Sequence, residues 1–272
     1  MVLPRPLAGA GRLGVLLRRL RVASGTQLGA AVPRLRTAVL PTTTKAYDVR
    51  RTITTQVLVL MGAEGRLVRR QPLGSWSSRQ HTWELASTVW PEGLPEVGRA
   101  EAQARLVAAY LSRFGPATEA DVAWWTGWSL RDTRAAVSGS GAEAVDGLLW
   151  GAGDLPDDGS APEEVATLLP ALDPTPMGWK ERDWFLPEDE PARRSLYDPY
   201  GNIGPTIWWA GEVVGGWAVR SDGSIATRLF TDRGEQVSRA VDAVAEALHA
   251  RIEGTVVVPS FRTPLERELA AG

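Results

Sequence analysis

The chain has 272 residues, of which 44% are hydrophobic, so it can bury a sizeable core and global disorder is excluded. It contains no cysteine and only two histidines, His81 and His249, which excludes disulfides and cysteine-based zinc sites and argues against a histidine-rich metal site. We therefore expect no metal and no cofactor. No segment reaches the ~20 apolar residues of a transmembrane helix, so we expect no membrane partner.

The formal net charge of −2 conceals two oppositely charged parts. Residues 1–80 hold 14 Lys and Arg and only two acidic residues, Asp48 and Glu64, whereas the remainder holds 16 basic and 30 acidic residues. A basic segment of this length is typical of proteins that bind a polyanion. The acidic remainder either repels the same polyanion or keeps the chain soluble.

The first 23 residues are rich in arginine and contain no acidic residue. Leu13, Leu16, Leu17 and Leu20 have the spacing of an amphipathic helix, which is the interpretation we favour. The composition also fits a transit peptide, whereas the apolar run at 13–17 is too short for a secretory signal. A further interpretation is that the chain begins inside a domain whose upstream portion is missing.

Residues 24–97 predict helices followed by a basic hairpin. Thr26–Val39 is expected to form a short helix interrupted near Pro33, and Ile53–Met61 a buried helix or strand. Arg66–Gln71 and Gln80–Leu85 have the pattern of two strands, joined by the loop PLGSWSSR.

A helix followed by a basic hairpin is the outline of a winged helix. In such a fold Arg66, Arg69 and Arg70 would contact DNA phosphates. Trp76, at the tip of the hairpin, would either stack on a base or wedge into a groove, or else fold back on its own domain. A linker rich in proline and glycine follows, so residues 1–97 are predicted to form a first domain.

Arg99–Phe114 predicts a helix that leads into the segment FGPATEADVAWWTGWSLRDTRAAV, which has the pattern of a helix-turn-helix. Thr118, followed three residues later by Asp121, is the acidic form of a capping box. Gly127 can adopt the left-handed conformation that ends a helix, and Ser129 then caps a second helix.

This second helix carries Arg131 and Arg134 on one side, as a helix lying in a DNA major groove requires. An ordinary helical hairpin fits the pattern equally well. The side chains predicted to face the core are Leu130, Ala135 and Val137, and the three tryptophans Trp124, Trp125 and Trp128 are also expected mainly in the core. With a strand at Leu148–Trp150, residues 98–165 are predicted to repeat the element order of the first domain.

Residues 166–272 predict a β-rich third domain. Ile203–Trp209 and Glu212–Val219 are expected to form strands joined by a two-residue turn, and Ser224–Leu229 a third strand. Gly234–Ile252 has the spacing of a long amphipathic helix, so we expect a small antiparallel barrel or sheet covered by one helix. Further strands are expected at Val165–Leu172 and Val256–Val258.

The polar loop LDPTPMGWKERDW, residues 172–184, places Lys180 and Arg182 beside Trp179 and Trp184. Charged and aromatic residues clustered on a loop are compatible with a binding site, and an internally ion-paired loop is the alternative interpretation.

Three separated segments together resemble a known family: FGPATEADVAWWTGWSLRDTRAAV, LLPALDPTPMGWKERDW and GPTIWWAGEVVGGW. Over residues 12–260 the chain is similar to bacterial winged-helix DNA-binding proteins of the AlkZ/YcaQ-like type, which include DNA glycosylases acting on bulky alkylated bases and interstrand crosslinks. The resemblance implies an α+β fold in which tandem winged-helix domains precede a small antiparallel β-barrel or sheet with one long helix. It also implies that these parts form a cleft around duplex DNA.

The catalytic motif of that family is a Gln-x-Gln, or in some members a Gln-x-Asp, in the first winged helix. This sequence contains neither motif, because its glutamines are isolated, at Gln27, Gln56, Gln71, Gln80, Gln103 and Gln236. The matching region begins in what would be the second winged helix. The resemblance therefore implies DNA binding and assigns no catalytic residue.

We predict a bacterial, cytoplasmic and monomeric protein of DNA repair that binds duplex DNA and lacks glycosylase activity in this chain. The alternatives are an active DNA glycosylase that excises bulky alkylated bases and a winged-helix module for protein contacts. The residues expected to contact DNA are Arg66, Arg69, Arg70, Trp76, Ser129, Arg131, Arg134, Lys180 and Arg182.

Overall fold

Helices and antiparallel strands are mixed in both of the units into which the chain divides, unit 1 (Met1–Glu96) and unit 2 (Val97–Gly272). The computed structural model describes residues 10–44, 48–75, 78, 80–154 and 162–272. Within these ranges no helix is long and apolar enough to cross a membrane. The predicted α+β class is confirmed, and the predicted division at residues 97 and 165 into three domains stays a prediction.

The described part of unit 1 contains three principal helices and a three-stranded sheet. Its elements are α1 (Ala10–Leu20), β1 (Val22–Ser24), α2 (Gly25–Ala31), a 3-10 helix (Pro33–Arg36), β2 (Ala38–Val39), β3 (Arg51–Thr52), α3 (Thr54–Ala63), β4 (Leu67–Pro72), β5 (His81–Leu85) and α4 (Ala86–Val89). The sheet is antiparallel in the order β1-β5-β4, and β2 pairs with β3 separately. The predicted basic hairpin is confirmed as β4 and β5, whereas Trp76 lies outside the described residues.

The core of unit 1 is built from one apolar side of each helix. Leu17 of α1, Leu28 of α2 and Leu58 of α3 are each at most 2% exposed and pack together with Leu67 of β4. Ser24 and Gln27 form a reciprocal capping box that begins α2, which satisfies backbone amides that have no partner inside the helix. The segment predicted as helix or strand is thus the helix α3, because Leu58 and Met61 recur at helical spacing.

Unit 2 begins with three helices and a short hairpin and continues into a larger sheet. Its elements are α5 (Arg99–Phe114), α6 (Glu119–Thr126), α7 (Leu130–Ser140), β6 (Glu143–Val145), β7 (Leu148–Trp150), β8 (Ala166–Leu169), a 3-10 helix (Thr175–Met177), α8 (Glu190–Ser195), β9 (Thr206–Trp209), β10 (Glu212–Val219), β11 (Ile225–Leu229), α9 (Glu235–Ile252) and α10 (Pro264–Ala271). The hairpin pairs β6 with β7, and the larger sheet has the antiparallel order β11-β10-β9-β8.

The larger sheet is open, so the barrel alternative is wrong: β11 and β8 stand at opposite edges. The two-residue turn between β9 and β10 is confirmed, with positive φ at both Ala210 and Gly211 (48° and 83°), as such hairpin turns require. The strand predicted at residues 256–258 is wrong. Val256 and Val258 are 42% and 54% exposed in a segment without regular structure that leads to α10, so alternating apolar residues here did not produce a buried strand.

One core cluster joins the helices of unit 2 to its larger sheet. Tyr110 of α5, Val122 of α6 and Ala136 of α7 belong to the same buried cluster as Trp208 of β9 and Leu265 of α10. Residues 98–165 and 166–272 therefore share apolar contacts.

The prediction of which α7 side chains face the core was partly wrong. Leu130 and Ala135 are exposed, whereas Thr133 and Ala136 are buried and Val137 is half-buried, because the capped start at Ser129 fixes the helical phase. Trp124 and Trp125 of α6 were also predicted to be core and are instead 44% and 39% exposed.

Candidate nucleic-acid interface

Basic residues outnumber acidic residues in unit 1 by 14 to five. The exposed arginines in its described part are Arg18, Arg19, Arg21, Arg34, Arg36, Arg50, Arg51, Arg66, Arg69 and Arg70. Among described residues, only Arg66 and Arg70 of this set have a carboxylate within ion-pair distance, namely Glu64 at 3.5 Å and Glu84 at 3.2 Å. The remaining guanidinium groups are available to an anion.

Two of these arginines line a cleft of about 1090 Å³ in unit 1, which we call the basic cleft. Its polar side chains include Arg36 of the 3-10 helix, Thr54 and Thr55 of α3, Arg69 of β4, His81 of β5 and Gln80 immediately before β5. No acidic residue is among its described lining residues. An anion in the basic cleft would therefore meet guanidinium, hydroxyl and imidazole groups without a competing carboxylate.

Close packing of α2 against α3 shapes the basic cleft. The Thr54 hydroxyl donates a 2.8 Å hydrogen bond to the Leu35 carbonyl, which ties the 3-10 helix carrying Arg36 to the start of α3. A Cβ atom added at Gly29 of α2 would lie 3.6 Å from the Thr54 hydroxyl and 3.8 Å from the Arg36 side chain. These are ordinary van der Waals distances, so position 29 lies in contact with both segments and would accept an alanine.

A β-bulge sets the direction of the arginines on the hairpin. Arg69 pairs with Trp83, but the next pair joins Pro72 to His81, so the register shifts between them. A bulge interrupts the strict alternation of side chains, and the successive residues Arg69 and Arg70 are both exposed. Together with His81 they line a second depression of about 620 Å³, so Arg69 borders both depressions.

The helix-turn-helix predicted in unit 2 is confirmed in its local geometry. Thr118 and Asp121 form the reciprocal capping box, Gly127 ends α6 with φ of 70°, and the Ser129 hydroxyl accepts a hydrogen bond from the Asp132 amide. The Ser129 hydroxyl also donates to the Asp132 carboxylate at 3.0 Å. Ser129 is therefore already occupied as a helix cap.

The two arginines of α7 differ in their surroundings. The Arg134 Nε donates a 2.8 Å hydrogen bond to the Glu119 carboxylate and forms an ion pair with it. Arg131 is exposed and has no carboxylate within ion-pair distance among the described residues. Of the two, Arg131 is the one whose charge is unpaired.

The loop that carries Lys180 is bound to α6 by a buried carboxylate. The backbone amides of Lys180 and Glu181 donate to Asp121 Oδ1 at 2.8 Å and 3.0 Å, while Asp121 Oδ2 accepts from Thr118. Burial alone would raise the pKa of the Asp121 carboxyl, but these hydrogen bonds outweigh it and lower the pKa below its usual value. The sequence identified Asp121 as a cap and did not reveal its contact with residues 180 and 181.

Aromatic side chains hold the same loop against α5 and α6. The Trp179 indole donates to the Phe114 carbonyl at 2.8 Å, and the Tyr110 hydroxyl donates to the Gly178 carbonyl at 2.8 Å. Burial, with a contribution from the nearby Asp121 carboxylate, raises the pKa of the Tyr110 hydroxyl. The loop is thus a packed part of unit 2, although Trp184 is 58% exposed.

Arg182 is held between two aromatic rings. Its guanidinium lies 5.1 Å from the centroid of Trp124 and 5.7 Å from that of Tyr197, and its Nε donates to the Trp179 carbonyl at 3.0 Å. Lys180 is more exposed: 54% of its side chain is accessible, and its ammonium lies 4.0 Å from the Glu181 carboxylate. The structure therefore brings Lys180 and Arg182 to α6, with Arg182 already engaged.

The sequence did not single out Arg36 or the threonines beside it. Arg36 lies 18 positions before Thr54 in the chain, and only the packing of the 3-10 helix on α3 places both in one cleft. The basic composition of residues 1–80 was the only available signal. Within the described part of the chain, no group of three or more His, Cys, Asp or Glu side chains is positioned to hold a metal ion.

Comparison with known proteins found one matching family model and a similar solved structure. A family model described as "DNA glycosylase AlkZ-like" matches residues 8–251. Among solved structures, the Streptomyces sahachiroi DNA glycosylase AlkZ is similar, with a TM-score of 0.62 and 19% sequence identity over 92% of this chain and 68% of that chain. At this identity the structural likeness shows a shared fold, and no curated protein matched the sequence. Because the family match spans most of the chain, as the sequence resemblance predicted, the protein belongs to the AlkZ-like DNA glycosylase family.

Proposed function

We propose that this protein binds duplex DNA and that unit 1 supplies most of the affinity. The observation that carries this proposal is the set of exposed arginines of unit 1 that have no ion-pair partner among the described residues, two of which line a cleft with no acidic residue in its described lining. Phosphate contacts provide most of the non-specific affinity of DNA-binding proteins, and arginine is well suited to make them. Membership of a family named for DNA glycosylases supports the same partner.

Unit 1 acts in this proposal as a winged helix. Its order of helix, strand, two helices and hairpin, with the first strand at the edge beside β5, supports that assignment. The helices α5, α6 and α7 followed by the β6-β7 hairpin support a second unit of related design. In a winged helix the helix before the hairpin enters the major groove and the hairpin follows the backbone.

The arginines of the hairpin and the basic cleft position the protein on the phosphate backbone. Arg36 and Arg69 contact phosphates directly, because no carboxylate of the described residues lies within ion-pair distance of either. Arg70 exchanges its contact with Glu84, and Arg66 its contact with Glu64, for a phosphate. Trp76 remains our candidate for a contact at the tip of the hairpin.

The predicted contacts of unit 2 contribute less. Arg131 is the first candidate there because it is exposed and unpaired. Arg134, Lys180 and Arg182 each have an internal partner that DNA must replace or share, and Ser129 serves as a helix cap. Their contacts to DNA are part of the proposal as secondary contacts.

A salt titration of DNA binding tests the proposal. Four phosphate contacts predict that affinity for a random 20-base-pair duplex falls about 100-fold between 50 and 200 mM salt. Fluorescence anisotropy with a labelled duplex measures this slope, and sedimentation of the free protein checks the proposed monomer. Absence of binding at 50 mM salt would contradict the proposal and favour a module for protein contacts.

We further propose that this chain does not itself release bases from DNA. The lack of any Gln-x-Gln or Gln-x-Asp in its sequence supports this, since the resemblance assigns the water-activating role to that motif. The test is incubation with a duplex alkylated at guanine N7, followed by alkaline cleavage at abasic sites. We expect no strand breaks above the background of DNA without protein, with heat-induced depurination of the same duplex as the positive control. Breaks that increase with protein concentration would instead establish the glycosylase alternative.

A further inference from the structure

The outward surface of α3 is apolar although it belongs to a strongly basic unit. Leu58 and Met61 face the core, whereas Val59 and Leu60 are 56% and 48% exposed. Gln56 and Thr55 complete the exposed side, and the helix contains no charged residue. Val59 and Leu60 are adjacent in the chain, so the exposed side of α3 presents aliphatic groups to solvent.

The side of this surface that carries Val59 borders the basic cleft. Thr55 and Val59 line the basic cleft together with Arg36 and Arg69, and no acidic residue is among the described lining. An apolar strip bordered by unpaired guanidinium groups is complementary to a DNA groove, in which base edges lie between two rows of phosphates. A purely apolar protein partner would leave those guanidinium groups desolvated without a counter-charge.

We infer that α3 reads thymine-containing sequences through the major groove, with Val59 and Leu60 against thymine 5-methyl groups and Gln56 on adenine. The thymine methyl is the apolar feature of the major groove, and glutamine can bond adenine N6 and N7 together. This inference rests on the proposed DNA binding and adds the base preference of unit 1. Arg36 and Arg69 hold the backbone while α3 distinguishes A·T from G·C pairs.

Replacement of thymine by uracil tests the inference, because it removes only the 5-methyl group. We expect the full chain to bind a 20-base-pair A·T-rich duplex about fivefold more tightly than the same duplex with uracil in place of thymine. The variant Val59→Ala with Leu60→Ala should bind both duplexes with equal affinity. Circular dichroism melting confirms that this exposed double variant remains folded.

Leu130→Ala provides the matched control. Leu130 lies on α7 and is 48% exposed, the same fraction as Leu60, so its truncation removes a comparable surface in unit 2. This variant should keep the fivefold preference for thymine. Gln56→Ala should keep the preference for the methyl group while reducing the preference for A·T over G·C duplexes about threefold.

Three results would overturn the inference while leaving DNA binding intact. The first is equal affinity of the unmodified chain for thymine and uracil duplexes. The second is a thymine preference that survives in the Val59 and Leu60 double variant, which would mean that α3 does not make the contact. A change in sedimentation coefficient of that variant would show that α3 is covered by a second copy of the chain and would also overturn the inference. Failure to bind either duplex would refute the proposed function itself.

Discussion

Units 1 and 2 both place helices before a β-hairpin, but their charges are opposite. Unit 1 has 14 basic and five acidic residues, whereas unit 2 has 16 basic and 27 acidic residues. Eight of the 15 arginines in unit 2 form an ion pair with a described acidic residue: Arg105, Arg134, Arg193, Arg194, Arg228, Arg233, Arg239 and Arg262. A shared order of elements therefore does not predict a shared partner, because the pairing of charges differs.

The two units also differ in whether their polar surface is covered by another segment of the same unit. In unit 1 the basic cleft lies open beside α3. In unit 2 the loop at residues 178–184 packs on α6. Asp121 of α6 accepts hydrogen bonds from two backbone amides of the loop, and the ring of Trp124 contacts the loop residue Arg182. The polar groups of this part of unit 2 thus bond to other groups within the unit, as expected for a scaffold. The arginines of the basic cleft in unit 1 face solvent instead.

Reversing two charges in the basic cleft should have the largest effect on DNA binding. We expect Arg36→Glu with Arg69→Glu to weaken duplex affinity about 100-fold at 100 mM salt, because two phosphate contacts are lost and two repulsions added. The slope of log affinity against log salt should also fall by about two. Fluorescence anisotropy measures both quantities.

The control for this variant is the equivalent reversal at Arg193 and Arg194 on α8 of unit 2, where both arginines are ion-paired. If reversal there weakens binding as strongly as reversal in the basic cleft, then the assignment of affinity to unit 1 is wrong.

Removing the buried carboxylate of unit 2 should destabilise that unit alone. Asp121→Ala deletes a helix cap and leaves the amides of Lys180 and Glu181 without their acceptor, so we expect a loss of about 2 kcal/mol. Amide hydrogen exchange should rise in α6 and residues 178–184, with the peptides of unit 1 as an internal control. Faster exchange in unit 1 to the same extent would contradict the separation of the two units.

The contribution of Asp121 should depend on pH with a defined sign. Its pKa is lowered in the folded protein, so the stabilisation is fully present above the ordinary aspartate pKa of about 3.9 and is lost as pH falls through the folded value. The stability difference between the unmodified chain and Asp121→Asn should therefore be constant near neutral pH and shrink below about pH 4. Thermal melts across pH 2–7 give this difference.

Reversing Arg131, the arginine of α7 with no ion-pair partner among the described residues, should have the smallest effect. Arg131→Glu is expected to weaken DNA binding about threefold, because its charge is exposed but lies in an acidic unit. Arg134→Glu serves for comparison, since it also removes the pair with Glu119. A loss as large as that expected for the basic cleft would show that α7 carries a principal contact.

Much of the local structure followed from short-range sequence signals. The caps at Thr118 and Ser129, the helix end at Gly127 and the two-residue turn after β9 depend on interactions within a few residues, and all were predicted. The basic hairpin and the acidic character of unit 2 were equally visible. The family was recognised for the same reason, because its motifs are contiguous segments.

Tertiary packing decided which of these residues are free to act. The sequence determined that residues 1–80 are basic, but only the fold brings Arg36 and Arg69 to one cleft and leaves Arg131 unpaired while Glu119 neutralises Arg134. In the folded chain Leu130 is exposed and Thr133 is buried. Residues 256–258, which were expected to form the last strand, are an exposed connection. Composition and capping act along the chain and can be read from it, whereas ion pairing and exposure depend on which distant segment packs against each side chain.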